Sequence, residues 1–84
     1  MNTPAQREYW VVRVTFYDDD ENPVPYWFRD WEAGSTVPEY TPLTTERFAF
    51  ADHDEAMVTC KQIRKLDKAL VPLVVHVNVK RRRP

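Results

Sequence analysis

A chain of 84 residues makes one domain and hides only about 60–65% of its unfolded surface, so the 13% of aromatic residues must supply much of its core. The formal charge of −1 is unevenly placed: Lys80, Arg81, Arg82 and Arg83 hold four of the twelve basic residues, and the other eight face thirteen acidic ones, which excludes a globally basic nucleic-acid binder. One cysteine excludes an internal disulfide and a cysteine-rich zinc site, and one glycine excludes a glycine-rich phosphate loop.

Residues 1–7 are a short polar lead-in, expected to be mobile. Residues 8–17 follow as a strand in which Trp10, Val12, Val14 and Phe16 alternate with Tyr9, Val11, Arg13, Thr15 and Tyr17. Asp18, Asp19, Asp20, Glu21, Asn22 and Pro23 form a turn by composition. It leads into a second aromatic strand over residues 24–31, giving an antiparallel hairpin. Pro25 cannot donate to a ladder, so it belongs at an edge or near the strand's start. Residues 33–36 mark another turn, and residues 37–45, with Pro38 and Pro42 and no period, are expected to be an ordered loop. Arg47, Phe48, Ala49 and Phe50 are candidates for a short third strand.

Asp52 has the position of a helix N-cap, with Glu55 three residues on to complete a capping box. The helix is expected over residues 53–69, with Ala56, Cys60, Ile63, Leu66 and Leu70 as its apolar stripe. Lys61, Arg64, Lys65 and Lys68 complement the dipole late in the helix, and Pro72 prevents continuation. A last strand over residues 73–80 sets Leu73, Val75, Val77 and Val79 against Val74, His76, Asn78 and Lys80. The order strand, strand, possible strand, helix, strand defines an α+β domain: a three- to four-stranded, mainly antiparallel sheet with one helix on one face.

One helix covers one face, and the strands are apolar on two. Giving the uniformly apolar sets to the helix leaves Tyr9, Arg13, Tyr17, Trp27, Arg29, Trp31 and His76 on an open face. Each large aromatic offers ~150–250 Å², so four of them, even half covered, approach or exceed the ~300–600 Å² of a typical monomer's largest apolar patch. Tyr, Trp and Arg are also enriched at binding hot spots. The expected contact residues are therefore Tyr9, Arg13, Tyr17, Trp27, Arg29 and Trp31, with Asp18, Asp19, Asp20 and Glu21 as an electrostatic rim. The competing expectation is that residues 33–45 fold back and bury the tryptophans within the monomer.

Chemistry is not written into the chain. Asp18, Asp20 and Asn22 have the start of an EF-hand spacing, but Pro23 stands where glycine is needed and Arg29 where a bidentate glutamate belongs. His53 and Cys60 lie about 10 Å apart along the predicted helix, too far for a catalytic dyad. No enzymatic activity, cofactor or metal is expected. Lys80, Arg81, Arg82 and Arg83 carry the alternative reading, a nucleic-acid accessory protein that adds an aromatic sheet face to a basic tail. No apolar run reaches the ~18–20 residues of a membrane span, and residues 1–8 lack the apolar stretch of a signal peptide, so a cytoplasmic location is expected.

The run Arg47-Phe48-Ala49-Phe50-Ala51-Asp52-His53-Asp54-Glu55-Ala56 lies after two strands and before a helix and closing strand. In that setting the chain resembles small phage-encoded accessory proteins, which have an aromatic residue before an acidic capping turn with alanine. The resemblance covers most of residues 9–80 as a pattern. It implies a compact protein that binds and inhibits a host protein, as anti-CRISPR proteins do, and it carries over no catalytic residue. The partner is then a host protein or complex, and a homodimer through the open sheet face is a further possibility. The basic tail and the three tryptophans have no counterpart in that pattern.

Overall fold

The computed structural model describes residues 8–78. They form strands β1 (Glu8–Tyr17), β2 (Pro23–Trp31) and β3 (Pro38–Thr41), helix α1 (His53–Leu66) and strand β4 (Leu73–Asn78). The four strands make one sheet in the order β3-β2-β1-β4, antiparallel throughout. The α+β architecture expected from the sequence is therefore the one observed. The basic residues Lys80, Arg81, Arg82 and Arg83 and the polar lead-in lie outside the described residues.

Helix α1 lies across β1 and β4. Its buried residues Ala56, Thr59, Cys60 and Ile63 recur at helical spacing and meet Val12, Val14, Phe28 and Phe50 in the core. Asp52 caps the helix by accepting from the Asp54 N–H at 2.7 Å. The capping bond thus reaches Asp54, not the Glu55 position that a capping box would use. The helix ends at Leu66, three residues before the expected end, because Asp67 leaves helical geometry while its N–H still bonds the Ile63 carbonyl at 2.9 Å. Beyond the helix, Phe16 packs edge-on against Tyr26 and Tyr40, at centroid distances of 5.1 and 5.4 Å. Burial, followed by the negative charge of Asp67, pushes the Tyr40 phenol up.

Three local features depart from the sequence expectations. Residues 38–41, expected in a loop, form the edge strand β3, paired with β2 from Trp27 to Trp31. The register of that pair shifts between Phe28 and Asp30, a β-bulge that puts two residues of β2 against one of β3. The Asp30 carboxylate accepts from the Trp31 N–H at 2.8 Å and holds the kink. Residues 47–50 do not form a strand of their own. The β1–β2 pairing runs only from Tyr17/Pro23 to Arg13/Trp27, and past it the strands part. Residues 48–50 fill the gap: Phe48 N–H donates to the Phe28 carbonyl at 2.9 Å, and Phe50 exchanges two 2.8 Å bonds with Trp10.

Candidate functional site

The register decides which residues share a face, since residues directly opposite in an antiparallel pair point the same way. Val12 opposes Val74 and Trp10 opposes His76. Val74 packs against the core, and His76 stacks on Trp10 at 5.1 Å. The helix face therefore takes Val74 and His76, while Leu73, Val75 and Val77 go to the far face opposite Arg13, Val11 and Tyr9. This reverses the expected assignment for β4. His76 leaves the predicted open face and, still exposed, lies with its Nε2 3.0 Å from Glu8 Oε1.

Trp31 is corrected for a different reason. The bulge between Phe28 and Asp30 cancels one alternation, so Trp31 returns to the face of Phe28, with ring centroids 5.2 Å apart. There it forms one wall of a groove of about 550 Å³, with Ser35, Thr36, Gln62, Lys65 and Leu66 as the rest of its lining. Arg29 lies within the bulge, exposed at the β2–β3 side of the sheet.

The far face retains Tyr9, Arg13, Tyr17 and Trp27 from the expected set. Its centre is an arginine that the sequence reading did not single out. The Arg47 guanidinium lies 4.7 Å above the Trp27 ring and 6.0 Å from the Tyr9 ring, and its Nη2 donates to the Tyr9 hydroxyl at 3.5 Å. Trp27 opposes Arg13, and Val11 lies between Tyr9 and Arg13 on the same strand face. An arginine that reaches both rings therefore passes over Val11, which is fully buried although it faces away from α1. Cover for the far face thus comes in part from the segment that splits β1 from β2, while residues 33–45 contribute the buried Thr41 opposite Trp27 and, on the other face, Ser35 and Thr36 beside Trp31. The cover is partial: Trp27 is half-buried, Tyr17 is 68% exposed and Leu73 is 48% exposed.

Arg47 Nε is buried without a hydrogen-bond partner, and among the described residues no carboxylate lies within ion-pair distance of Arg47 or Arg13. Among the described residues the Arg47 guanidinium thus has two aromatic rings and the Tyr9 hydroxyl as its partners. Thr41, opposite Trp27, steadies the segment leading to it by donating to Glu46 Oε1 and accepting from the Leu43 N–H, both at 3.1 Å.

The hairpin tip that carries Asp18, Asp19, Asp20 and Glu21 is exposed and ordered by its own side chain. Asp18 Oδ1 accepts from the N–H groups of Asp20 and Asn22 at 2.9 and 2.8 Å. These bonds, that from Asn22 first, lower the Asp18 pKa. Glu21 takes a left-handed conformation, φ 62°, to close the turn. The Asp18 carboxylate is thus used on its own hairpin tip, while Asp19, Asp20 and Glu21 are exposed beside it.

Cys60 is a core residue whose thiol is pushed up by burial against an opposing pull from Arg64, which keeps it protonated and unreactive. His53 turns its edge to Trp10 at 6.0 Å and lies 3.7 Å from the Asp54 carboxylate. Among the described residues no group of three or more His, Cys, Asp or Glu could hold a metal ion, and no helix is long and apolar enough to cross a membrane. Comparison with protein-family models, curated proteins and solved structures gave no match.

Proposed function

We propose that this chain is a non-enzymatic protein-binding module that works by occluding a surface on a host protein in the cytoplasm, in the manner of the phage-encoded inhibitors its sequence pattern resembles. The binding surface is the far face of the sheet. The observation that carries this reading is Arg47, whose Nε is buried without a partner and which has no carboxylate within ion-pair distance among the described residues, on the sheet face of Tyr9, Trp27 and the apolar row Leu73, Val75 and Val77. Aromatic and arginine residues at the centre of an apolar surface are the composition of binding hot spots. A partner that places a carboxylate on Arg47 and Arg13 and apolar side chains on β4 fits this face. Asp19, Asp20 and Glu21 then meet a basic patch at its margin and speed encounter.

The test compares the 84-residue chain with Arg47→Met and Leu73→Asp as baits in lysate of the source cell, read by mass spectrometry. The reading expects one protein or complex to be captured by the native chain and lost with both variants, at melting temperatures close to native. An unchanged capture set with both folded variants overturns it. Arg13 and Arg47, which have no carboxylate within ion-pair distance among the described residues, give the nucleic-acid alternative its support, together with the basic residues Lys80, Arg81, Arg82 and Arg83. Deleting residues 80–84 separates the two: a steeply salt-dependent RNA or DNA affinity that disappears with the tail favours the alternative.

A further inference from the structure

The two edges of the sheet are built differently. Edge strand β3 has four residues, begins with Pro38, is followed by Pro42 and pairs through a bulge, all devices that blunt an edge. Edge strand β4, Leu73–Asn78, has six residues, no proline, no aspartate, glutamate, lysine or arginine, and no bulge in its pairing with β1. The direction of its free backbone groups follows from β1. Trp10 exchanges both its hydrogen bonds with Phe50, on the β2 side. Alternation then turns Tyr9, Val11 and Arg13 toward β4, where they bond their opposite residues Val77, Val75 and Leu73. Val74, His76 and Asn78 are left with N–H and C=O groups directed outward, and among the described residues no backbone bond outside the ladders reaches them.

We propose that a second copy of this chain pairs with this edge, β4 against β4 in antiparallel register about a two-fold axis at His76, to give an eight-stranded sheet. In that register His76 opposes its copy and Val74 opposes Asn78, so all outward N–H groups of the strand are used in about six ladder bonds. The far-face pairs are Val75 with Val77, β-branched on β-branched, which is a favourable cross-strand match. No charged pair is created within β4. The acidic tips lie beyond the Leu73 end of β4, and the two-fold axis sends them to opposite ends of the sheet. On the helix, Gln62, Lys65 and Leu66 face the Trp31 groove, and the helical spacing sets Met57, 37% exposed, on the opposite flank. The dimer joins the two far faces, so two Arg47 stations lie on one continuous sheet, a bivalent surface. The pairing itself does not depend on what the far face binds.

Sedimentation velocity of the 84-residue chain, from low to high micromolar, tests the pairing. The native chain is expected at twice its 10.0 kDa mass. His76→Pro removes an outward N–H and no bond to β1, so it is expected to be a monomer with native far-UV circular dichroism. Should His76→Pro lose that spectrum, Asn78→Pro carries the test, with dimer affinity expected to fall about tenfold. Trp27→Ala, on the far face, is expected to dimerise like the native chain. Amide exchange gives a second readout: a dimer protects Val74, His76 and Asn78 as well as Leu73, Val75 and Val77, while a monomer protects only the second set. A native chain that remains monomeric overturns the proposal. So does a dimer that withstands the proline variants, or one that is lost with Trp27→Ala and kept with His76→Pro.

Discussion

The two faces of this sheet are closed by different chemistry. On the helix face, Phe28, Phe50, Val12, Val14 and Ile63 exclude water by apolar area, and their burial needs no polar group. On the far face, Val11 is equally buried, and it sits on the strand face where Arg47 reaches the rings of Tyr9 and Trp27. An arginine covers apolar surface with its stem while its head keeps a charge. The helix face is thus built for stability alone. The far face is held together by a group whose strongest interactions, with a carboxylate or phosphate, are not satisfied within the described residues.

The sharpest way to break this comparison is on the helix face. Phe28 is 2% exposed and contacts the rings of Trp31, Phe48 and Phe50. Phe28→Ala is expected to destabilise by about 3–5 kcal/mol, a large part of the stability of a domain of this size. Urea unfolding followed by tryptophan fluorescence measures it, and a loss below 1 kcal/mol would mean that Phe28 is not in the core. Arg47→Ala removes the cation–π contact and uncovers Val11, but also removes a buried Nε without a partner, so the net loss is expected near 1 kcal/mol. Arg47→Met keeps the stem's cover and deletes the charge. Its stability is expected within about 0.5 kcal/mol of native, while partner capture falls with it. That split between folding and binding would separate the two roles of the far face. A large loss of stability in Arg47→Met would instead make the guanidinium a structural group.

Much of this architecture was legible in the chain, and the failures share a physical cause. Strand β1, the acidic turn and the Asp52 cap each carry a period or a local bond that the structure keeps, whereas the helix stops at Asp67, well before Pro72. Strand β4 carries both apolar sets, Leu73/Val75/Val77 and Val74 with His76, so its alternation could not say which set faces the helix. Pairing with Val11 and Val12 decided it. The bulge at residues 28–30 has no glycine to announce it, and it moved Trp31 across the sheet. Strand β3 was hidden by the prolines at its ends. Arg47 left no sequence signal beyond its place beside Phe48, because its importance arises from β1 and β2 parting to admit that segment.

Helix α1 offers a smaller effect that belongs to the stability side of the comparison. Asp52→Ala deletes the 2.7 Å cap on the Asp54 N–H and is expected to lower stability by about 1 kcal/mol. Denaturant unfolding measures the loss, and capture by the far face should be unaffected once the protein is folded. Loss of capture in a folded Asp52→Ala would show that the binding surface extends to the helix.

The smallest expected effect lies at the hairpin tip, where structure and electrostatics meet. Asp18 has its pKa held below the ordinary 3.8 by the Asn22 and Asp20 N–H groups, in that order. Its folded value lies below its unfolded one, so its contribution is fully present above the unfolded pKa and is lost as pH falls through the folded one. The turn is therefore expected to loosen only below about pH 4. Carbon-detected NMR should report a depressed Asp18 titration and, over the same range, faster exchange of the Asn22 amide. Asp18→Asn weakens both acceptor bonds at any pH, and with the carboxyl gone the Asn22 amide should lose its acid-dependent step. If that step remains, Asp19, Asp20 or Glu21 controls the tip, and the division of labour between one structural carboxylate and three outward-facing ones fails.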